Sequence, residues 1–232
     1  MRVAVAVSGG MDSLLALALL REAGHEVLAL HGFFLPPDAA ARERAAALAG
    51  QCDRLGVAFQ AVDLSTEFRD RIIRPFAAEY AAGRTPNPCA ACNPDMKFGL
   101  LLDHARPLGA ERLATGHYAR IVDHPDYGRS LARGADPAKD QSYFLSLVPR
   151  ERLAEAVFPL GEIFKKDVPA LLAERGLTPP LATESQEICF VPGDDYCAFL
   201  EREAPGLGVD LPGGGPILDR AGRELGRHRG LW

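Results

Sequence analysis

The apolar run Val3-Ala4-Val5-Ala6-Val7 stands between Arg2 and Ser8. A short, continuous run of this kind predicts a strand buried on both faces. Residues 14–23 are apolar nearly all round and stop at Gly24, which predicts a buried helix. A second strand is expected over 27–30, a helix capped by Asp38 over 39–55 and closed by Gly56, and a third strand over 57–64. Ser65 or Thr66 can cap a helix towards Ala82, interrupted at Pro75 and stopped at Gly83. Strands alternating with helices of this length predict βαβ units and a parallel sheet, with ligands at the carboxyl ends of the strands.

Residues 84–93 contain Pro86 and Pro88, each of which biases its predecessor away from helix. The reading places Asn93 as an N-cap, with Pro94 opening a helix through Lys97 and Leu102 to Leu108. A strand is expected over 112–115, a hairpin over 119–133 turning at Asp126-Tyr127-Gly128, and helices over 140–157 and 166–175. Residues 183–191 read as extended, and from Gly193 onward prolines and glycines accumulate. The expected organisation is a catalytic domain over 1–192 and the beginning of a small Gly/Pro-rich domain over 193–232.

Composition narrows the function classes. The 232 residues are 47% hydrophobic, enough for one full-sized core and a fragment of a second. A net charge of −5 argues against an overall electrostatic grip on nucleic acid, so any RNA contact must be local or shared with a partner. No apolar stretch approaches a membrane span and no secretory leader is evident, so the expectation is a soluble, cytoplasmic protein with no membrane partner. Five cysteines in a chain this long do not make a disulfide framework. Cys52 and Cys197 read as small core residues.

The chemistry begins at Ser8-Gly9-Gly10-Met11-Asp12-Ser13, between the first strand and the first helix. Glycines without Cβ atoms let backbone N–H groups approach an anion, and the helix N-terminus behind them adds partial positive charge. Ser8 and Ser13 supply hydroxyls, while Asp12 would repel a phosphate unless a divalent cation intervened. An ordinary βα turn with a capping Asp or Ser is the plainer reading of the same residues. The string is neither a Walker A loop nor a dinucleotide fingerprint. It resembles the loop of the ATP pyrophosphatases, the PP-loop enzymes, which activate a carbonyl oxygen by adenylation. That resemblance implies ATP and Mg²⁺ at Ala6, Val7, Ser8, Gly9, Gly10, Met11, Asp12 and Ser13. The fold it implies is α/β, a parallel-sheet, Rossmann-like domain of the adenine nucleotide alpha hydrolase type.

Further segments narrow the resemblance. Thr85-Pro86-Asn87-Pro88, Cys92-Asn93, Lys97-Phe98-Gly99, Ala114-Thr115-Gly116-His117-Tyr118-Ala119-Arg120, Lys139-Asp140-Gln141-Ser142-Tyr143-Phe144-Leu145 and Glu187-Ile188-Cys189-Phe190-Val191 follow in order. Together with the first loop they resemble the tRNA-specific 2-thiouridylases, from residue 1 to the end. The resemblance implies ATP-dependent replacement of O2 by sulfur at the wobble uridine of tRNA. Under it, Gly32, Gly116 and His117 would face the nucleotide, although His117 can equally be a structural residue at a strand end. Asn87 and Pro88 would lie against the target base, and Lys139, Asp140 and Gln141 would touch tRNA. Cys92 matches the nucleophile and Cys189 the cysteine that carries sulfur, the donor being a persulfide carrier or hydrosulfide. Adenylation of another acceptor, or a non-catalytic nucleotide- or iron–sulfur-binding role, are the competing functions.

Two features depart from that family's pattern. Cys89 stands where better-known members carry an aspartate credited with acid–base work. The family also continues past Gly226-Arg227-His228-Arg229-Gly230 into a β-barrel that grips tRNA, whereas this sequence ends at Trp232. The expectation is a short form, either natural, with a partner protein as one way to replace the barrel, or a piece of a longer chain. Cys89 and Cys92 form a C-x-x-C, and with Cys189 they make three thiols that could hold zinc, form a redox disulfide or bind a 4Fe–4S cluster. A basic patch for tRNA is expected from Arg120, Arg129, Arg133, Lys139, Lys165 and Lys166. Cys92, placed just before a helix N-terminus, is expected to have a lowered thiol pKa.

Overall fold

The computed structural model describes residues 1–181, 188–230 and 232. Its elements run β1 Arg2–Ala6, α1 Met11–Glu22, β2 Glu26–Phe33, α2 Ala39–Arg54, β3 Ala58–Asp63, α3 Ser65–Phe68, α4 Arg74–Ala81, α5 Pro88–Cys92 and α6 Leu102–Ala105. After these come β4 Arg112–Ala114, β5 Ala119–His124, β6 Gly128–Arg133, α7 Arg150–Leu153, β7 Ala156–Val157, α8 Val168–Glu174, α9 Tyr196–Leu207, β8 Gly215–Leu218 and β9 Glu224–His228. The chain divides into two compact units, Met1–Thr66 with Cys89–Glu184 and Glu67–Pro88 with Ser185–Trp232. No single cut in sequence separates these two units.

The first unit is the α/β fold the alternation predicts. Five parallel strands stand in the order β3-β2-β1-β4-β7. Val5 pairs with Ala29 on one side and Ala114 on the other. Strand order reverses beside β1, so the crevice between the carboxyl ends of β1 and β4 is the topological switch point, where ligands of such sheets bind. Val3, Val5, Leu14, Leu15 and Leu17 are fully buried, which is why the first strand and helix read as apolar on every side. The expected hairpin is β5–β6, with Ile121 opposite Leu131.

Three expectations need correction. The helix expected over 140–157 is instead a 3-10 turn at Ser142–Leu145, the short α7 and the fifth sheet strand β7. Pro149 supplies the break, and a two-residue strand leaves no periodicity to read. Helix α5 starts at Pro88, five residues before the expected cap at Asn93, because proline is suited to a first helical position. Of the stretch expected to be extended over 183–191, residues 182–187 lie outside the described ones, and Cys189-Phe190 form a turn.

The second unit has its own aromatic core. Phe68, Phe76, Phe190 and Phe199 meet edge-on or tilted at centroid separations of 5.1–6.1 Å, and Tyr80 stacks on Tyr196 at 4.8 Å. Asp195 caps α9 by accepting from the Ala198 N–H, and Gly208 ends it with a left-handed φ of 68°. Arg74 Nη1 donates to the Leu207 carbonyl at 2.7 Å, tying α4 to the end of α9. Helix α9 and the β8–β9 hairpin are regular structure within a stretch whose prolines and glycines suggest mainly loop.

Candidate nucleotide and sulfur-transfer site

The loop after β1 is built by its own side chains. Gly9 takes a φ of +89°, a conformation that disfavours any other residue. Ser13 Oγ accepts from the Ser8 N–H and donates to the Gly10 carbonyl, both at 3.1 Å, and lies 3.2 Å from Ser8 Oγ. Gly10 is the N-cap of α1 with no side-chain capping bond. The Gly9 carbonyl accepts from the Leu181 N–H at 3.0 Å, so the segment after α8 braces the turn. Ala6 and Val7 lead into the loop, and Met11 opens α1 packed against the core.

Asp12 is the loop's charged residue, and two partners hold it. Lys165 Nζ lies 2.7 Å from each carboxylate oxygen, and the Tyr118 hydroxyl donates to Oδ1 at 2.7 Å. The Lys165 and Asp12 side chains are 13% and 24% exposed, so this is a largely dry pair. Asp136, itself buried, accepts from the Lys165 N–H at 2.9 Å and fixes where that lysine leaves the backbone. Lys165 therefore belongs to the phosphate loop and not to the surface patch expected of it. Of that patch Arg133 is exposed and Arg120 half-buried, in ion pairs with Asp140 and Glu162 respectively.

The end of β4 closes on the same point. A Cβ on Gly116 would lie 2.9 Å from the Asp12 carbonyl carbon and the Ser13 nitrogen, so only glycine lets this strand end touch the start of α1. A Cβ on Gly32, near the end of β2, would lie 2.9 Å from Phe34 Cε1 and 3.5 Å from Leu101 Cδ1, side-chain atoms both. His117 is buried: Nδ1 is 2.7 Å from Thr115 Oγ1 and Nε2 is 3.4 Å from Lys97 Nζ. An ammonium only donates, so Nε2 accepts and Nδ1 carries the proton. Burial first, and the Lys97 charge second, push the His117 pKa well below the usual value and keep the ring neutral.

Asp140 and Gln141 serve the fold. Burial alone would raise the Asp140 carboxyl, but bonds from the Gly134 and Ser142 N–H groups and the Ser142 hydroxyl bring it below the ordinary value. Gln141 clamps Tyr118, its Oε1 accepting from the Tyr118 N–H at 3.2 Å and its own N–H donating back at 2.9 Å. Lys139 is half-buried on the same loop, Asn87 is exposed just before α5, and Pro88 begins that helix. Lys97, Tyr118, Asp136 and Lys165 are the site residues sequence reasoning missed or misassigned; Lys97 and Tyr118 lay inside quoted motifs, and Lys165 was read as a surface charge.

Cys89 and Cys92 are half-buried one turn apart on α5, and Cys189 is exposed in the second unit. Cys92 lies in the helix and not ahead of it, so the argument for its lowered pKa from that placement fails. Cys89 stands in the first turn instead, where burial raises its thiol and Lys97 offsets this only in part. Asn93, buried in the helical run that continues from α5, donates through Nδ2 to the Cys89 and Phe144 carbonyls, both at 3.0 Å. Among the described residues no group of three or more His, Cys, Asp or Glu side chains is arranged to hold a metal ion. Of the three thiols expected to hold a metal, Cys89 and Cys92 belong to the first unit and Cys189 to the second.

A parallel sheet with a serine- and glycine-built loop at its switch point defines an α/β nucleotide-binding protein of the PP-loop class. The family model described as "tRNA methyl transferase HUP domain" matches residues 1–193, and the chain belongs to that family. It is similar to the tRNA-specific 2-thiouridylase MnmA of Nitratidesulfovibrio vulgaris (strain DSM 19637 / Miyazaki F), 59% identical over 236 residues covering 100% of this chain and 66% of that protein. The MnmA of Lawsonia intracellularis is 51% identical over 234 residues, covering 100% and 65%. The chain thus spans just under two thirds of the length of these curated relatives. Among solved structures it resembles the U34-tRNA thiolase NcsA from Methanococcus maripaludis, with its 4Fe–4S cluster, at a TM-score of 0.52 and 17% identity, covering 89% of this chain and 67% of that one. At that identity the likeness concerns the fold alone. Among the described residues no helix is long and apolar enough to cross a membrane.

Proposed function

We propose that this chain is the ATP-using, sulfur-transferring part of a tRNA 2-thiouridylase, with residues 1–192 carrying catalysis and 193–232 beginning a smaller domain. The observation that carries the reading is the Ser8–Ser13 loop, with Asp12 at its centre, at the switch point of the sheet. ATP use follows from the PP-loop class. The loop's backbone N–H groups and hydroxyls bind the triphosphate, with the base towards Gly32, Gly116 and His117. A single carboxylate beside hydroxyls fits Mg²⁺, which takes one or two carboxylates and completes its shell with phosphate and water. Bound there through Asp12, it would neutralise charge on the departing pyrophosphate.

A uridine carbonyl oxygen is a poor leaving group. Attack of O2 on the α-phosphorus expels pyrophosphate and leaves an adenylate, from which AMP departs when sulfur adds at C2. In this reading Cys189 carries the sulfur as a persulfide; the Cys92 thiolate attacks its inner sulfur, a Cys92–Cys189 disulfide forms as hydrosulfide leaves to add at C2, a thiol reductant restores both cysteines, and Asn87 and Pro88 seat the base. Lys139, Arg120, Arg129, Arg133 and Lys166 contribute the local positive charge that tRNA needs on a chain of net charge −5. The test is the purified protein with unmodified tRNA, Mg·ATP and a persulfide donor, followed by nucleoside mass spectrometry and pyrophosphate release. The expected result is 2-thiouridine, lost in Cys92→Ala and Cys189→Ala. Pyrophosphate release that no tRNA stimulates, with no thionucleoside formed, would overturn the reading.

A further inference from the structure

We infer that Lys165 is a built-in counter-cation of the phosphate loop, competing with a divalent metal for Asp12 and acting as a donor to the nucleotide's phosphates. This rests on the reading of the loop as an ATP site. Asp12 presents negative charge where a polyanion must bind, and an uncompensated carboxylate there would oppose binding. The structure supplies the compensation from a residue 153 positions away, with Nζ at 2.7 Å from both carboxylate oxygens.

The surroundings make the pair a device and not an incidental surface bridge. Asp136, buried, anchors the Lys165 N–H at 2.9 Å and the Ala138 N–H at 3.0 Å, so the root of the lysine is fixed while four methylenes remain to swing. Tyr118 hydroxyl holds Asp12 Oδ1 independently at 2.7 Å, so the carboxylate keeps its direction when the ammonium leaves it. Tyr118 is in turn clamped by Gln141, and the ammonium lies 5.7 Å from the Tyr118 ring centroid, which favours a cation there. A lysine ammonium carries three donors and no fixed fork, so it can bridge a carboxylate and a phosphate at once. When a divalent ion takes Asp12, the ammonium's charge passes to the phosphate oxygens, and nothing is left unpaired.

The proposal makes effects of opposite sign in one variant. Lys165→Ala removes the competitor from Asp12, so Mn²⁺ binding without nucleotide, read by electron paramagnetic resonance, should tighten severalfold. The same variant loses a charge-assisted phosphate contact, so Mg·ATP, followed by titration calorimetry, should bind roughly ten- to hundredfold more weakly. Lys165→Arg should recover part of the ATP affinity, and Asp12→Asn should abolish the Mn²⁺ signal in either background. Circular dichroism and the melting temperature report whether each variant is folded. If Lys165→Ala weakens both ligands, or alters neither, the inference is wrong, since a merely structural lysine would move them together. If the wild-type protein binds no Mg·ATP, it is the ATP reading that fails.

Discussion

Gly116→Ala tests whether the end of β4 sets the phosphate loop. The added Cβ would lie 2.9 Å from the Asp12 carbonyl carbon, 2.9 Å from the Ser13 nitrogen and 3.0 Å from Asp12 Cβ. Two of these are backbone atoms, so relief requires either the strand end or the first turn of α1 to move by about half an ångström, since ordinary carbon contacts begin near ~3.5 Å. Overpacking of this kind costs about 1–3 kcal/mol. For a chain of this size each kcal/mol shifts the melting temperature by about 2–4 °C, so a loss of roughly 2–12 °C is expected. The same shift displaces Asp12 and the Ser13 N–H, so Mg·ATP should bind at least about tenfold more weakly, one misplaced charged hydrogen bond being worth about 1.5–3 kcal/mol. Gly32→Ala is the control: the three atoms nearest its Cβ all belong to side chains, the Phe34 ring at 2.9 and 3.5 Å and Leu101 Cδ1 at 3.5 Å, and none to backbone, so stability should change less. Calorimetric melting and ATP titration of both variants decide the matter. Equal, small effects would refute the reasoning.

His117, with its pKa held well below the usual value by burial and then by Lys97, takes up its proton more readily in the unfolded chain. Its contribution is full above the unfolded pKa near ~6.5 and is lost as pH falls below it, so the wild-type urea midpoint should drop more steeply below pH ~6.5 than that of His117→Gln. Equal slopes would show that the buried ring is not the cause. Asn93→Ala removes the donors to the Cys89 and Phe144 carbonyls and should cost about 2–3 kcal/mol in denaturant unfolding, at about 1 kcal/mol per bond plus the unsatisfied acceptors; a loss under about 0.5 kcal/mol would contradict that accounting. Affinity for tRNA should fall steeply between low and physiological salt, and a flat salt dependence would show that the exposed arginines make no phosphate contacts.

The parallel sheet was legible because its first two strands are each followed by a helix, of 12 and 16 residues, long enough for its buried positions to show in the residues. The run Val3 to Val7 and the all-round apolar α1 are buried on every side, and a continuous hydrophobic string is what such burial looks like in sequence. β7 was not legible: two residues, Ala156 and Val157, pair with Leu113 and Ala114, and two residues carry no period. α9 was obscured by composition, since Pro205 and Gly206 lie inside it and Gly208 ends it, although Asp195 offered a capping signal. Segment 67–88 could not be grouped with the C-terminal part from local pattern, because that grouping is made by contacts such as Phe76 to Phe199, far apart in sequence.

At the site, sequence exposes what is contiguous and conceals what is assembled. Ser8, Gly9, Asp12 and Ser13 announce a phosphate loop because the turn itself dictates them, with Gly9 at a φ of +89°. The partners of Asp12 are set by topology: Tyr118 comes from the end of β4, the strand that pairs with β1, and Lys165 from the turn before α8, which packs on α1. A lysine in Phe164-Lys165-Lys166-Asp167 reads as a solvated charge, and nothing local separates Lys165 from Lys166. The structure separates them by what lies behind: Asp136 holds the Lys165 N–H and aims its side chain inward, while the Lys166 ammonium rests 5.8 Å from the Phe164 ring centroid. Cys92 stands out by its motif, whereas Cys89, beside the Lys97 charge, stands at the start of a helix that begins earlier than its prolines suggested. Burial first and Lys97 second set the ionisation of the Cys89 thiol, so the pH profile of its alkylation in Lys97→Met should shift upward relative to the wild type, and an unchanged profile would show that the Lys97 charge does not reach it.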